Sequence, residues 1–98
     1  MPIRTNRLPR LSIGTDWTPL ELLTEPFVTV TFRGYTVAID VRVIATQLEY
    51  TFLLGAKSLS EPLENLRVSS DGLLAGKKVA VRKSGEERTA SYEVRVIQ

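Results

Sequence analysis

FVTVTFRGYTVAIDVRVIATQLEYTFLL, residues 27–54, decides the fold. Apolar and polar residues alternate through it with period two, the pattern of half-buried β-strands. Three strands are predicted, Phe27–Arg33, Tyr35–Ala45 and Leu48–Leu54. The first places Val28, Val30 and Phe32 toward the core and Thr29, Thr31 and Arg33 outside. Gly34 permits a sharp reversal. The second strand places Tyr35, Val37, Ile39, Val41 and Val43 on one face, with Thr36, Ala38, Asp40, Arg42 and Ile44 on the other. It is longer than the usual strand of about five or six residues. A long strand suits a small barrel, where one strand serves both halves. In the third strand the expected core residues are Leu48, Phe52 and Leu54. Leu53 interrupts its polar side and leaves the facing of Tyr50 open between the two faces.

Downstream, Ser58 to Arg67 forms the one convincing helix. Leu59, Leu63 and Leu66 fall at i, i+4 and i+7, a single apolar stripe. Ser58 with Glu61 matches a capping box, and Ser60 is the rival cap. Pro62 is tolerated only in a first turn, which favours a start close to Ser60. A closing hairpin follows. Val79 and Val81 face in and Lys78, Ala80 and Arg82 face out. After a polar loop around Gly85, the strand from Thr89 to Gln98 turns Ala90, Tyr92, Val94 and Val96 inward. Upstream, residues 1–14 carry Arg4, Arg7 and Arg10, but Pro9 opposes a helix there. An extended basic N-terminal arm is expected. Thr15 or Asp16 offers a cap for a short helical turn before Pro19, and Trp17 reads as a plug at one end of the core.

The element order is therefore β-β-β-α-β-β in one domain, 1–98. That order predicts a mainly β, five-stranded OB-like barrel with one short helix. An irregular sandwich and a split barrel of the SH3 type share the order.

The totals narrow the chemistry. The chain has no Cys and no His, which excludes disulfides, a zinc knuckle, a thiol nucleophile and a Ser-His-Asp triad. The carboxylates Asp16, Asp40, Glu49, Glu61, Glu64, Glu86 and Glu87 form no recognisable catalytic pair, and Ser84-Gly85 is too short for a phosphate loop. A non-catalytic protein without metal or cofactor is expected. No apolar run reaches the length of a membrane span, and Met1-Pro2-Ile3-Arg4 lacks the pattern of a signal peptide. A soluble, cytoplasmic protein is the expectation. The net charge is only +2, but the bases are nine Arg against four Lys. Arg offers a planar fork that fits phosphate and stacks on bases.

The closing segment carries Gly76, the basic pair Arg82-Lys83, Ser84-Gly85, then Thr89, Tyr92 and Val94. It resembles the final hairpin of small single-strand-binding proteins of phages and some microbes. The resemblance covers under a quarter of the chain, and Glu86-Glu87 makes the loop more acidic than such loops usually are. It implies an OB-fold that binds single-stranded nucleic acid in DNA replication or repair, with DNA the favoured substrate over RNA.

Binding of that kind needs a basic groove and aromatic faces. The expected phosphate contacts are Arg33, Arg42, Lys78, Arg82, Lys83 and Arg88, and the expected stacking residues are Tyr50 with Tyr92 or Tyr35. In an OB-fold Arg42, Tyr50 and Arg82 are expected to share a face. The competing reading makes Arg42 and Arg95 parts of solvated strand faces with cross-strand partners, and Lys77-Lys78 guards of an edge strand. The alternative function is a structural or regulatory interaction subunit. It would assemble through sheet edges, as a homodimer pairing the strand that ends at Gln98, or through the apolar residues Ile44, Leu53 and Ile97.

Overall fold

The computed structural model describes residues 3–4, 8–32, 34–86 and 90–97, with residues 3 and 4 as backbone only. Seven strands and one helix follow in the order β1 (Ile3–Arg4), β2 (Thr18–Leu22), β3 (Phe27–Thr31), β4 (Gly34–Val43), β5 (Glu49–Leu53), α1 (Lys57–Ser69), β6 (Lys78–Lys83) and β7 (Tyr92–Ile97). All strands join one sheet, ordered β1-β3-β4-β2-β6-β7, with β5 also on β4. Pairing is antiparallel except between β1 and β3. Among the described residues the ladder does not close on itself.

β4 is the spine. Gly34 to Ala38 pair with β3, Ala38 to Arg42 with β5, and Val41 to Val43 with β2. Its expected length is therefore used in full, because three strands share it. Gly34 takes φ 112°, a conformation only glycine adopts freely, and so makes the reversal into β4.

Leu20, Leu22, Ile39, Val41, Phe52, Val79 and Val81 form the main core on one side of the sheet, with Leu59 and Leu63 of α1 and Leu74 against them. The helix stripe is as expected, and Leu66 packs at its margin. The cap differs. Ala56 is the N-cap and makes no side-chain hydrogen bond. Ser58 lies inside the helix, where its Oγ accepts the Tyr92 N–H at 3.0 Å. That hydroxyl engages the outer edge of β7, the edge from which a second copy was expected to pair. Pro62 lies in the second turn, so the helix forgoes one internal hydrogen bond there.

Several facings differ from the alternation. β2 occupies the stretch expected to hold a helical turn. Pro19 fits a central strand because its carbonyl accepts from the Ile44 N–H just where β4 ends, so its missing donor falls off the ladder. In the first predicted strand the buried residues are Phe27 and Thr29, while Val30 and Phe32 are exposed. Val30 does lie on the core side, opposite Tyr35, but the hairpin runs out past the core there, and Tyr35 and Val37 are exposed with it. Leu48, just ahead of β5, and Val96, on the edge strand β7, are exposed as well.

The other side of the sheet has its own buried layer of Phe27, Thr29, Ala38, Asp40 and Thr51. Asp40, expected to face solvent, accepts a hydrogen bond from the Thr51 hydroxyl at 3.0 Å, and its N–H donates to Thr24 Oγ1 at 3.3 Å. Residues 9–11 run along the outer edge of β5: Thr51 N–H donates to Pro9 and Leu11 N–H to Thr51. Buried on both faces, Ala38–Val41 shows no alternation of exposure.

Two outcomes follow. Asp40→Ala strands a buried Thr51 hydroxyl and is expected to cost about 1–3 kcal/mol; Asp40→Asn, which keeps an acceptor, is expected to cost less. Pro62→Ala restores the missing helix hydrogen bond and is expected to stabilise by about 1–2 kcal/mol after the gain in unfolded-chain freedom. Midpoints of urea unfolding at constant slope measure both.

Candidate nucleic-acid interface

The expected binding residues do not form one surface. Register puts Arg42 opposite Glu49 and Glu21, and Tyr50 opposite Val41, so Arg42 and Tyr50 lie on opposite faces of the sheet. Arg42 donates from Nη2 to Glu49 at 2.9 Å and from Nη1 to Glu21 at 3.1 Å, bridging β4 to β5 and to β2. The hydrogen bond to Glu49, then the charges of Glu49 and Glu21, raise its pKa above the ordinary arginine value. A guanidinium held by two carboxylates is already neutralised and offers little to a phosphate. Tyr50 packs half-buried against the core.

On the same outer face as Arg42, Arg82 donates from Nε to Glu93 at 2.8 Å. Its guanidinium lies 4.6 Å from the centroid of the Trp17 ring, and that of Arg95 lies 4.5 Å from it. The single tryptophan thus stacks with two cations on the sheet surface instead of plugging the core. Lys78 is exposed, cross-strand from Glu21. Arg33 and Arg88 lie outside the described residues.

Lys83 and Tyr92 are brought together. They are cross-strand partners on the core side of the β6–β7 hairpin, and Lys83 Nζ lies 5.7 Å from the Tyr92 ring centroid. Tyr92 in turn lines a cleft of about 430 Å³ with Arg10, Thr31, Phe32, Thr36, Leu53 and Leu59. Phe32 is 85% exposed, in the turn between β3 and β4. The cleft therefore lies between that turn and the start of β7. Arg10 is the only charged residue of its described lining. The alternation hid Phe32 by assigning it to the core. Arg10 was visible in the basic arm, but its approach to Tyr92 depends on residues 9–11 running beside β5, which no local pattern announces.

A second, larger cavity of about 920 Å³ lies between α1 and the β3–β4 hairpin. Leu54, Leu63, Leu74 and Val37 line it, with Glu25, Glu61, Glu64 and Arg67 among its polar residues. The two cavities adjoin, since Thr36 and Gly55 line both. Among the described residues they differ in charge, one bearing an arginine and the other three carboxylates against one guanidinium.

Comparison of the chain with protein-family models, curated proteins and solved structures finds no match.

The Arg42 bridge ties three strands together at a half-exposed site, where ion pairs contribute little individually. Arg42→Ala is expected to lower the melting temperature slightly, with a smaller loss in high salt. Thermal melts at two ionic strengths measure it. Glu64 has a definite pH signature. The hydrogen bond from Arg67 lowers its pKa below the ordinary 4.5. Its contribution to stability is therefore present above that unfolded value and lost as pH falls through the lower folded value. In Arg67→Gln the Glu64 carboxyl is expected to titrate at higher pH, as followed by carbon NMR.

Proposed function

We propose that this protein is a non-catalytic binder of single-stranded nucleic acid, with little sequence preference, and that the strand lies in the Arg10–Phe32–Tyr92 cleft. One observation carries this reading: two aromatic side chains, Phe32 and Tyr92, line one cleft with Arg10, and Lys83 stands over Tyr92. Sequence-tolerant binding of single strands uses these parts, aromatic faces for the bases and cations for the backbone.

The element order supports an OB-like arrangement of the sheet. β2 and β3 together run along one edge of β4 as a single interrupted strand, and α1 joins β5 to β6. In that fold the second and third strands and two flanking loops hold oligonucleotides. The corresponding described parts here are β4, β5, the β3–β4 turn and the start of β7, and the cleft lies among them. The closing hairpin's resemblance to single-strand-binding proteins points the same way. Arg82 and Arg42 move out of the binding set because carboxylates hold them; Phe32 and Arg10 enter it. DNA is the favoured substrate, on the strength of the resemblance alone.

The test is fluorescence anisotropy with labelled oligo-dT and oligo-U at low and moderate salt. Saturable binding that weakens with salt is expected. Phe32→Ala removes a side chain that is largely exposed and is expected to weaken binding by about 1–3 kcal/mol, the scale of one base stack. Arg10→Ala is expected to reduce the salt slope by about 0.7, the contribution of one phosphate on a single strand. Arg42→Ala is expected to leave affinity unchanged. No binding at low salt and high protein concentration overturns the reading.

A further inference from the structure

The larger cavity is not suited to nucleic acid, and its chemistry points to a different ligand. We propose that the groove between α1 and the β3–β4 hairpin docks a short segment of a partner protein, with apolar side chains flanked by lysine or arginine. This proposal is independent of the nucleic-acid reading.

The groove is a continuation of the core. Leu54, Leu63 and Leu74 are buried core residues that also line it. On β4 the same side of the sheet carries Ile39 and Val41, which are fully covered, and then Val37 and Tyr35, which are 37% and 71% exposed. Val30, opposite Tyr35 on β3, is 55% exposed. An apolar row thus leaves the shelter of α1 and runs along the hairpin without a cover. Contiguous exposed apolar surface of this kind marks a contact surface more often than chance. Its extent beyond the cavity selects a polypeptide over a small ligand, since a small ligand would fill the cavity and leave the row bare.

Charge selects the partner. Glu25, Glu61 and Glu64 line the groove against Arg67. Glu61 pairs with Lys57 and Glu64 with Arg67, while Glu25 accepts from the N–H groups of Leu74 and Ala75 and shares the field of Arg67, so among the described residues the rim keeps an excess of one carboxylate. Phosphates are repelled from such a rim, and cationic side chains are drawn to it. A second copy seated by two-fold symmetry would bring the same patch to itself, carboxylates facing carboxylates. A foreign segment with apolar anchors and basic flanks satisfies both the floor and the rim, in the manner of peptides laid into hydrophobic grooves.

The experiment is a selection of phage-displayed 12-residue peptides on the full chain, followed by anisotropy with the synthesised winners. Expected are peptides with two or three apolar residues and adjacent Lys or Arg. Val37→Arg is expected to weaken them about tenfold or more, as loss of an apolar anchor does. The exposed rim pair Glu61→Lys with Glu64→Lys, chosen because it leaves the core untouched, is expected to weaken them about fivefold at low salt and less at high salt. Failure to enrich any peptide overturns the proposal. So do winners that lack basic residues, or winners indifferent to both variants. A dimer in sedimentation that Val30→Arg dissolves assigns the surface to a second copy and overturns the foreign partner.

Discussion

One strand bears the constraint on which the rest depends. β4 pairs with β3, β5 and β2 over different parts of its length, and its centre is buried on both faces. A strand in that position needs apolar or fully bonded residues on both sides, and it has them. Ile39 and Val41 enter the main core, Ala38 is small enough for the second layer, and Asp40 is held by the hydroxyl of Thr51 and by Thr24. A buried carboxylate is costly unless bonded. Thr51 supplies a bond to that carboxylate and so ties β5 to β4, while Thr24 accepts from the Asp40 main-chain N–H and ties the link between β2 and β3 to it.

The two cavities follow from that arrangement. β4 is longer than the core it serves, so its first half projects with β3 as a hairpin. One end of the projection carries Phe32 in the turn, near Tyr92 and Arg10, and its core-side face carries Val30, Tyr35 and Val37 beside the helix groove. Among the described residues, one cavity bears an arginine and the other three carboxylates against one guanidinium, so the two ends of the hairpin differ in charge. On the outer face of the sheet, Arg42 and Arg82 are spent on neighbouring carboxylates.

Much of this was legible in the chain. The three consecutive strands, the Leu59–Leu63 stripe and the Val79–Val81 strand are local patterns, and period alone identifies them. What escaped was set by distant contacts. Thr15 to Leu23 reads as a turn with a proline in it, and only the place where β4 ends lets Pro19 sit in a strand. Val30 and Phe32 look like core by alternation, yet a pattern states which residues share a face and not where the covering core stops. Arg42 and Tyr50 look like site residues by type. Their opposite facing depends on register with β5, and the neutralisation of Arg42 depends on Glu21, twenty-one positions away in the chain. The pairing of Lys83 with Tyr92 was implicit in the hairpin, whereas Phe32 joins them only through the fold.

Chemical-shift mapping by NMR during titration with a short oligo-dT tests the proposed cleft most directly. Resonances of Arg10, Phe32, Thr36, Leu53 and Tyr92 are expected to move together with one affinity, while those of Arg42 and of the groove residues Leu63 and Leu74 stay in place. Shifts centred on Arg42 and Glu49, or an absence of shifts at saturating oligonucleotide, would contradict it.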